Sequence, residues 1–125
     1  MEQACIDFLK RLVSWYSEQD SGSWLNDFTW STIPFDWSAK CNVDNGIIGM
    51  YSFGHIYLMD LHLVPDQIFP TLIHELYHRW QWVKHPVYYL VGKLIRPLIE
   101  KPAERQTELA EEWLNNLPRE QREYK

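Results

Sequence analysis

Residues 69–83 read FPTLIHELYHRWQWV and contain the string H-E-x-x-H at 74–78. On an α-helix, side chains four residues apart lie about 40° from each other around the axis and about 6 Å along it. The imidazoles of His74 and His78 can therefore bind one metal ion. Glu75 lies about 100° round from His74, where its carboxylate can take a proton from water without occupying a coordination position. The spacing predicts two metal ligands and a general base.

The apolar residues of this stretch lie on the opposite side of the predicted helix from the two histidines. With His74 at zero, they fall between about 160° and 240° around the axis and form one continuous stripe. The stripe consists of Phe69, Leu72, Leu76, Trp80 and Val83. One face therefore packs against a core while the other presents metal ligands. The pattern predicts a helix over about 66–85, here called the motif helix, which Pro86 ends.

Sequence patterns before the motif helix predict an α+β fold. Apolar residues at helical spacing indicate an N-terminal helix over 2–18. The tripeptide at 44–46, Asp-Asn-Gly, favours a tight hairpin turn, since Asn and Gly tolerate the positive φ that such turns need. Residues that favour strands flank this turn, and we expect a small antiparallel sheet over about 39–59. Its three predicted strands lie near 39–43, 47–52 and 55–59. This sheet is expected to pack on the motif helix.

Two further helices are predicted after the motif helix. The run from Val87 to Ile95 is apolar, and we expect it to pack in the core, because it is too short and too often interrupted to span a bilayer. Pro102, a favoured first residue of a helix, begins the last clear helix, which runs to about 117. A chain of 125 residues suits a single core, so we expect one domain over 1–125.

Charge and composition argue against several classes of partner. The net charge is -5, and Lys and Arg are scattered along the sequence, so nucleic acid is not expected to bind. The first five residues have neither the basic nor the apolar region of a signal peptide, and no segment has the length needed to cross a bilayer. The expectation is a cytoplasmic protein without a membrane partner.

The motif leaves a third metal ligand to find, because catalytic zinc usually has three protein ligands. His85 would lie about 10 Å beyond His78 on a continuing helix, which is outside coordination reach. The remaining candidates are glutamates of the last predicted helix. Glu104 lies closer to the apolar stripe of that helix than Glu108 does, which favours Glu104 and leaves Glu108 as the alternative.

The motif at 74–78, followed by E-R-Q-T-E at 104–108, resembles the gluzincin branch of the zincin metallopeptidases, especially its short bacterial and phage-type forms. In that family's pattern, a Pro precedes the ligand Glu by two residues, a small residue follows it by three and an acidic residue follows it by four. Alanine and aspartate are commoner at the last two places. Around Glu104 these three places hold Pro102, Thr107 and Glu108. The resemblance covers about 46–116.

The resemblance implies a minimal zincin-like fold and a zinc-dependent peptide hydrolase. The ligands of the Zn²⁺ would be His74, His78 and Glu104. Glu75 would take a proton from the attacking water. Glu108 would accept a hydrogen bond from the nitrogen of a zinc-bound histidine that does not face the metal. A peptide or protein substrate would add as an extended strand to an edge of the sheet within 47–59.

Three functional questions stay open at the level of sequence. The spacing does not identify the group that donates to the oxyanion; the candidates are Tyr51, His55, His62, Tyr88 and Tyr89. One alternative to a hydrolase is a catalytically inactive zinc-binding or regulatory module that keeps the peptidase-like fold. Another is an enzyme restricted to cell-wall peptides or to one host protein, for which the aromatic content offers a binding surface.

Overall fold

The computed structural model of the chain describes residues 3–38, 41, 49–52, 54–59 and 65–122. Within these residues, five α-helices and three strands follow one another, and two short 3₁₀ segments connect the first helix to the first strand. In chain order the elements are α1 (Gln3–Tyr16), β1 (Phe35–Ser38), β2 (Gly49–Ser52), β3 (His55–Met59), α2 (Pro65–Lys84), α3 (Pro86–Leu94), α4 (Pro97–Asn115) and α5 (Arg119–Arg122). The fold is α+β, as predicted.

The three strands form one sheet in the order β1-β3-β2. β2 and β3 pair antiparallel, with Met50 opposite Tyr57, and this confirms the antiparallel pairing expected of the strands predicted near 47–52 and 55–59. β1 pairs parallel to β3, with Asp36 opposite Tyr57, so the prediction of an entirely antiparallel sheet is wrong. A pattern of strand-favouring residues does not encode strand direction, which is why the sequence did not reveal it. The predicted turn at 44–46 and most of the strand predicted at 39–43 lie outside the described residues.

The core lies between α1, the motif helix α2, the sheet and α4. Six residues of α1 are buried, and they are the six that its helical spacing predicts: Cys5, Phe8, Leu9, Leu12, Val13 and Tyr16. The ring of Tyr16 packs edge-on against Phe69 of α2, with centroids 5.8 Å apart, and is tilted against Trp113 of α4 at 5.2 Å. Three helices therefore meet at one aromatic cluster, which fixes how α2 and α4 lie against each other.

The motif helix α2 covers Pro65–Lys84, within one residue of its predicted ends. Phe69, Leu72 and Leu76 of the predicted stripe are buried, as expected, whereas Val83 near the end of the helix is exposed. α2 contacts α1, α3, α4 and both strands of the β2–β3 hairpin. Its ligand-bearing face is therefore held between the hairpin on one side and α4 on the other.

The helix α4 begins at Pro97, one turn before the predicted start at Pro102. Both prolines suit a first helical position, but Pro102 lies inside the helix, where a residue would normally donate its N–H to the carbonyl of Leu98. The hydroxyl of Tyr88 donates to this carbonyl instead. A side chain from α3 thus satisfies the carbonyl that the proline leaves without its usual partner, and the helix continues through Pro102.

The prediction that α3 packs in the core is wrong. Only Tyr89 and Gly92 of this helix are buried, and most of its apolar side chains are exposed. No helix in the described part of the chain combines the length and the apolar character needed to cross a membrane.

Candidate metal centre

Two helices bring His74, His78 and Glu100 together. The histidines project from α2 and the glutamate from the first turn of α4. The Nε2 atom of His78 lies 2.8 Å from Oε1 of Glu100, and the Nε2 atom of His74 lies 3.5 Å from Oε2 of the same carboxylate. These three side chains can offer ligand atoms that all lie within 4.8 Å of one another. Two imidazole nitrogens and one carboxylate oxygen form a donor set that suits zinc.

The other ring nitrogen of His78 is held by Gln81. His78 Nδ1 lies 2.8 Å from Gln81 Oε1, and the amide nitrogen of Gln81 donates to the carbonyl of Ile99 at 3.0 Å. Because the amide nitrogen is engaged in that bond, the oxygen faces His78 and can only accept. In the neutral ring, Nδ1 of His78 then carries the proton, and the lone pair of Nε2 is directed at Glu100.

The other ring nitrogen of His74 is held in the same way by Thr107. His74 Nδ1 lies 3.0 Å from Thr107 Oγ1, whose hydroxyl donates to the carbonyl of Ala103 at 3.1 Å. A hydroxyl has one proton to donate, so the oxygen accepts from Nδ1–H of His74. The Nε2 atom of His74 therefore also presents a lone pair to the cluster.

When both rings are neutral, these hydrogen bonds leave three electron-rich groups facing one another. The two Nε2 lone pairs and the Glu100 carboxylate then repel each other unless a cation, which can be a proton or a metal ion, lies among them. A proton is disfavoured on His74, because burial and then the neighbouring His78 lower its pKa in spite of the opposing effect of Glu100. The donor geometry and the fixed tautomers therefore fit a bound divalent metal ion.

Glu75 lies beside the cluster and outside its ligand set. Its side chain is 7% exposed, and burial, followed by the charge of Glu100, raises its pKa to about 8. The backbone N–H of Tyr51 donates to its carboxylate and acts in the opposite direction. A cation at the cluster would favour the charged form and lower this pKa. A buried carboxylate whose pKa lies near neutrality can both accept and release a proton.

The edge strand β2 runs directly past Glu75. A Cβ atom at Gly49 would clash with the side chain of Thr71 and would lie 3.5 Å from the Glu75 carboxylate, so a glycine permits this close approach. β2 pairs with β3 on one side only within the described sheet. Its other side is an edge that starts at the candidate base, within the range 47–59 where the sequence placed such an edge.

The structure brings Glu100, and not Glu104, to the two histidines. Glu104 is exposed and lies one helical turn further along α4, where its charge only raises the pKa of His74. Glu108 is exposed as well, and its carboxylate lies 3.3 Å from Arg105 instead of contacting a histidine. The reason is the early start of α4, which gives Glu100 the inward position that the predicted start assigned to Glu104.

Sequence signals existed for Glu100 and for one of the histidine partners. Measured from Glu100, the residue three later is Ala103 and the residue four later is Glu104, so two of the three gluzincin-like places also fit one turn earlier, whereas position 98 holds Leu instead of Pro. Sequence reasoning assigned no role to Gln81, although it lies three residues after His78 on a helix and can therefore reach it. The sequence pattern identified Thr107 only as the small residue that follows the ligand Glu by three. Its hydrogen bond to His74 depends on the packing of α4 against α2, which the sequence does not reveal.

Among the five candidate oxyanion donors, the structure favours Tyr89. The ring of Tyr89 packs edge-on against His78, with centroids 6.2 Å apart, and the side chain is buried. Burial, then Tyr51, Glu75 and Glu100, raise the pKa of its hydroxyl to about 12, so the group stays a neutral donor and lies close to these carboxylates.

The other candidates make different contacts. The hydroxyl of Tyr51 accepts a hydrogen bond from Arg79 at 3.0 Å, which leaves its own proton to donate, and the ring of His55 stacks on Tyr57 with centroids 4.4 Å apart. Tyr88 donates to Leu98. His62 lies outside the described residues.

A cleft of ≈ 450 Å³ adjoins the centre along the end of β2. It is lined by Tyr51 and Tyr89, which contact Glu75 and His78 respectively, and by Ser52, Gly54, Arg79, Trp82 and Lys93. A cleft beside an edge strand can hold an extended chain.

Comparison with protein-family models, with curated proteins and with solved structures found no match to this chain.

Proposed function

We propose that this chain is a zinc-dependent peptide hydrolase with a zincin-like fold of the gluzincin type. His74, His78 and Glu100 would hold the ion, so Glu100 replaces Glu104 in the ligand set expected from sequence. The observation that supports this most strongly is that Gln81 and Thr107 hold the Nδ1 atoms of both rings, so that both Nε2 atoms face one carboxylate. Two histidines that only pack in the fold would not need hydrogen bonds that turn both rings towards one carboxylate.

Zn²⁺ at this centre would supply Lewis acidity, which polarises a carbonyl group and makes water more acidic. Glu75 is placed to take a proton from water beside the ligand atoms and to pass it to the leaving amine. The hydrogen bond from the Tyr51 backbone keeps the Glu75 carboxylate oriented towards the centre. The neutral hydroxyl of Tyr89 would donate to the oxygen that gains charge in the transition state.

The substrate would be a peptide in an extended conformation. The edge of β2 that pairs with no strand among the described residues offers backbone hydrogen-bonding groups next to Glu75, and the adjoining cleft offers space for side chains. The inactive zinc-binding module remains the alternative, and it shares the metal centre but predicts no turnover.

The test is cleavage of a peptide library by the zinc-loaded protein and by its Glu75→Gln variant. The proposal predicts zinc-dependent cleavage that the variant loses, while the variant still binds one zinc ion per chain. Glu111→Gln removes an exposed carboxylate from α4 and serves as the matched control, which should cleave normally. Stoichiometric zinc binding without any cleavage by the unaltered protein would favour the inactive module.

A further inference from the structure

The exposed apolar side chains of this protein are concentrated in one short segment. Among the described residues, every large apolar side chain with high exposure falls between positions 82 and 98. They are Trp82, Val83, Val87, Tyr88, Leu90, Val91, Leu94, Ile95 and Leu98. Scattered apolar residues on a surface need no explanation, but nine within one short segment point to a contact surface. We call this group the apolar surface.

The orientation of α3 creates this surface. With Val87 at zero on the helix, Leu90, Val91 and Leu94 lie within about 60° of it, so the four side chains form one stripe. The buried face on the opposite side contains only Tyr89 and Gly92. Gly92 allows α3 to approach α4 so closely that a Cβ there would clash with Ile99. α3 is therefore anchored by a narrow face, and its wide apolar face is directed outwards: Val87 is 73% and Leu94 is 88% exposed.

The segment that contains the apolar surface is rich in basic residues. Between positions 79 and 101, the chain contains the basic residues Arg79, Lys84, Lys93, Arg96 and Lys101, whereas its one acidic residue is Glu100 at the candidate metal centre. Of these basic residues, Lys84, Lys93, Arg96 and Lys101 are exposed. The whole chain, by contrast, has a net charge of -5. The segment with the exposed apolar face is thus also locally basic.

We propose that the apolar surface binds the surface of a membrane that contains anionic lipids. Apolar side chains flanked by Lys and Arg, with Trp and Tyr at the border, are the composition of helices that lie in the plane of a bilayer interface. The contact is peripheral, because α3 has only nine residues and no described helix is able to span. A second copy of this chain is a poorer fit, since self-association through the apolar surface would bring two locally basic segments together.

This proposal replaces the expectation that the chain has no membrane partner. That expectation assumed that the run from Val87 to Ile95 would be buried in the core, and the structure exposes it. Trp82 and Lys93 belong both to this segment and to the cleft beside the metal centre. Membrane contact would therefore bring the cleft close to the bilayer. The inference does not depend on catalysis, and its test uses no activity measurement.

The experiment is co-sedimentation of the protein with vesicles of phosphatidylcholine, either alone or with about a third phosphatidylglycerol. The protein should pellet with the anionic vesicles, and salt should weaken the interaction. Leu94→Glu and, separately, Val87→Glu should each weaken binding by at least about tenfold, since each places a charge where an apolar side chain would enter the bilayer. Both side chains are highly exposed, so neither change removes a packing contact.

Two kinds of control separate the apolar and the electrostatic contributions. Asn115→Glu adds the same charge at an exposed position of α4 and should leave binding unchanged. Arg96→Gln and Lys101→Gln should each reduce binding to the anionic vesicles by about fivefold. Circular dichroism and zinc binding would establish that each variant is folded.

Two kinds of result would overturn the proposal. One kind comes from the vesicles: the unaltered protein fails to bind anionic vesicles, or Leu94→Glu binds them equally well. The other is a stable dimer in sedimentation equilibrium that Leu94→Glu dissociates, without vesicle binding, which would assign the apolar surface to a second copy of the chain.

Discussion

The Nε2 atom of His78 lies 2.8 Å from Oε1 of Glu100, and Gln81 holds the other ring nitrogen of His78 at 2.8 Å. In the neutral ring the proton is on Nδ1, so the Nε2 lone pair and the carboxylate oxygen need a cation near them. The same is true of the neutral ring of His74, whose Nδ1 lies 3.0 Å from Thr107 Oγ1. A metal ion bound among the three groups would supply that cation.

The hydroxyl of Thr107 should contribute to metal affinity although it does not contact the metal. Thr107→Val keeps the shape of the side chain but removes the acceptor for Nδ1–H of His74, so His74 can change tautomer or rotate. Zinc affinity should fall by about 10 to 100-fold in a calorimetric titration. Thr107→Ser keeps the hydroxyl and is the matched control. Equal affinities of the Val and Ser variants would show that the hydrogen bond does not orient the ring.

Tyr89→Phe should slow peptide cleavage without releasing zinc. The change removes only the hydroxyl, which is a neutral donor beside Glu75 and Glu100. We expect a fall of about 10²- to 10³-fold in kcat, with little change in KM, because the hydrogen bond would strengthen only in the transition state. Tyr57→Phe is the comparison, since Tyr57 belongs to β3 and its ring stacks on His55. If kcat fell equally in both variants, Tyr89 would have no special role.

Glu75 should make the stability of the zinc-free protein depend on pH. Its pKa rises from 4.5 to about 8 on folding, so the folded protein holds the proton more tightly than the unfolded chain does. Its contribution to the free energy of unfolding is therefore fully present below pH 4.5 and is lost as the pH rises towards about 8.

The matching variant for this measurement is Glu75→Gln, which keeps the size of the side chain and does not titrate. Urea denaturation in the presence of a chelator should show that the stability of the unaltered protein, relative to the variant, falls between about pH 5 and pH 8. The comparison also removes the opposite contribution of His74, whose pKa is lowered on folding. A stability difference that does not change over this range would contradict the raised pKa.

Much of the fold follows from the sequence where periodicity alone decides the outcome. The spacing of apolar residues in α1 predicts all six of its buried residues, and the H-E-x-x-H spacing places both histidines on one face of α2. These are local properties of a helix. The antiparallel pairing of β2 with β3 is similarly local, because a short turn allows few other arrangements.

The parts that the sequence did not predict depend on contacts between distant residues. Pro97 and Pro102 carry equal signals for a helix start, and the choice depends on Tyr88 reaching the carbonyl of Leu98. That choice shifts the inward-facing glutamate by one turn. Likewise, an apolar run such as that of α3 has the same pattern whether it faces a core or the solvent. Its exposure is decided by the close packing of Gly92 on Ile99.

The most direct test of the metal centre is a calorimetric zinc titration of Glu100→Gln and Glu104→Gln. The two residues are one turn apart on α4 and have the same side chain, so the pair is its own control. Glu100→Gln should lose more than about a hundredfold in zinc affinity, because it removes a ligand, whereas Glu104→Gln should stay within about tenfold of the unaltered protein. A larger loss in Glu104→Gln than in Glu100→Gln would contradict the assignment of Glu100 as the third ligand.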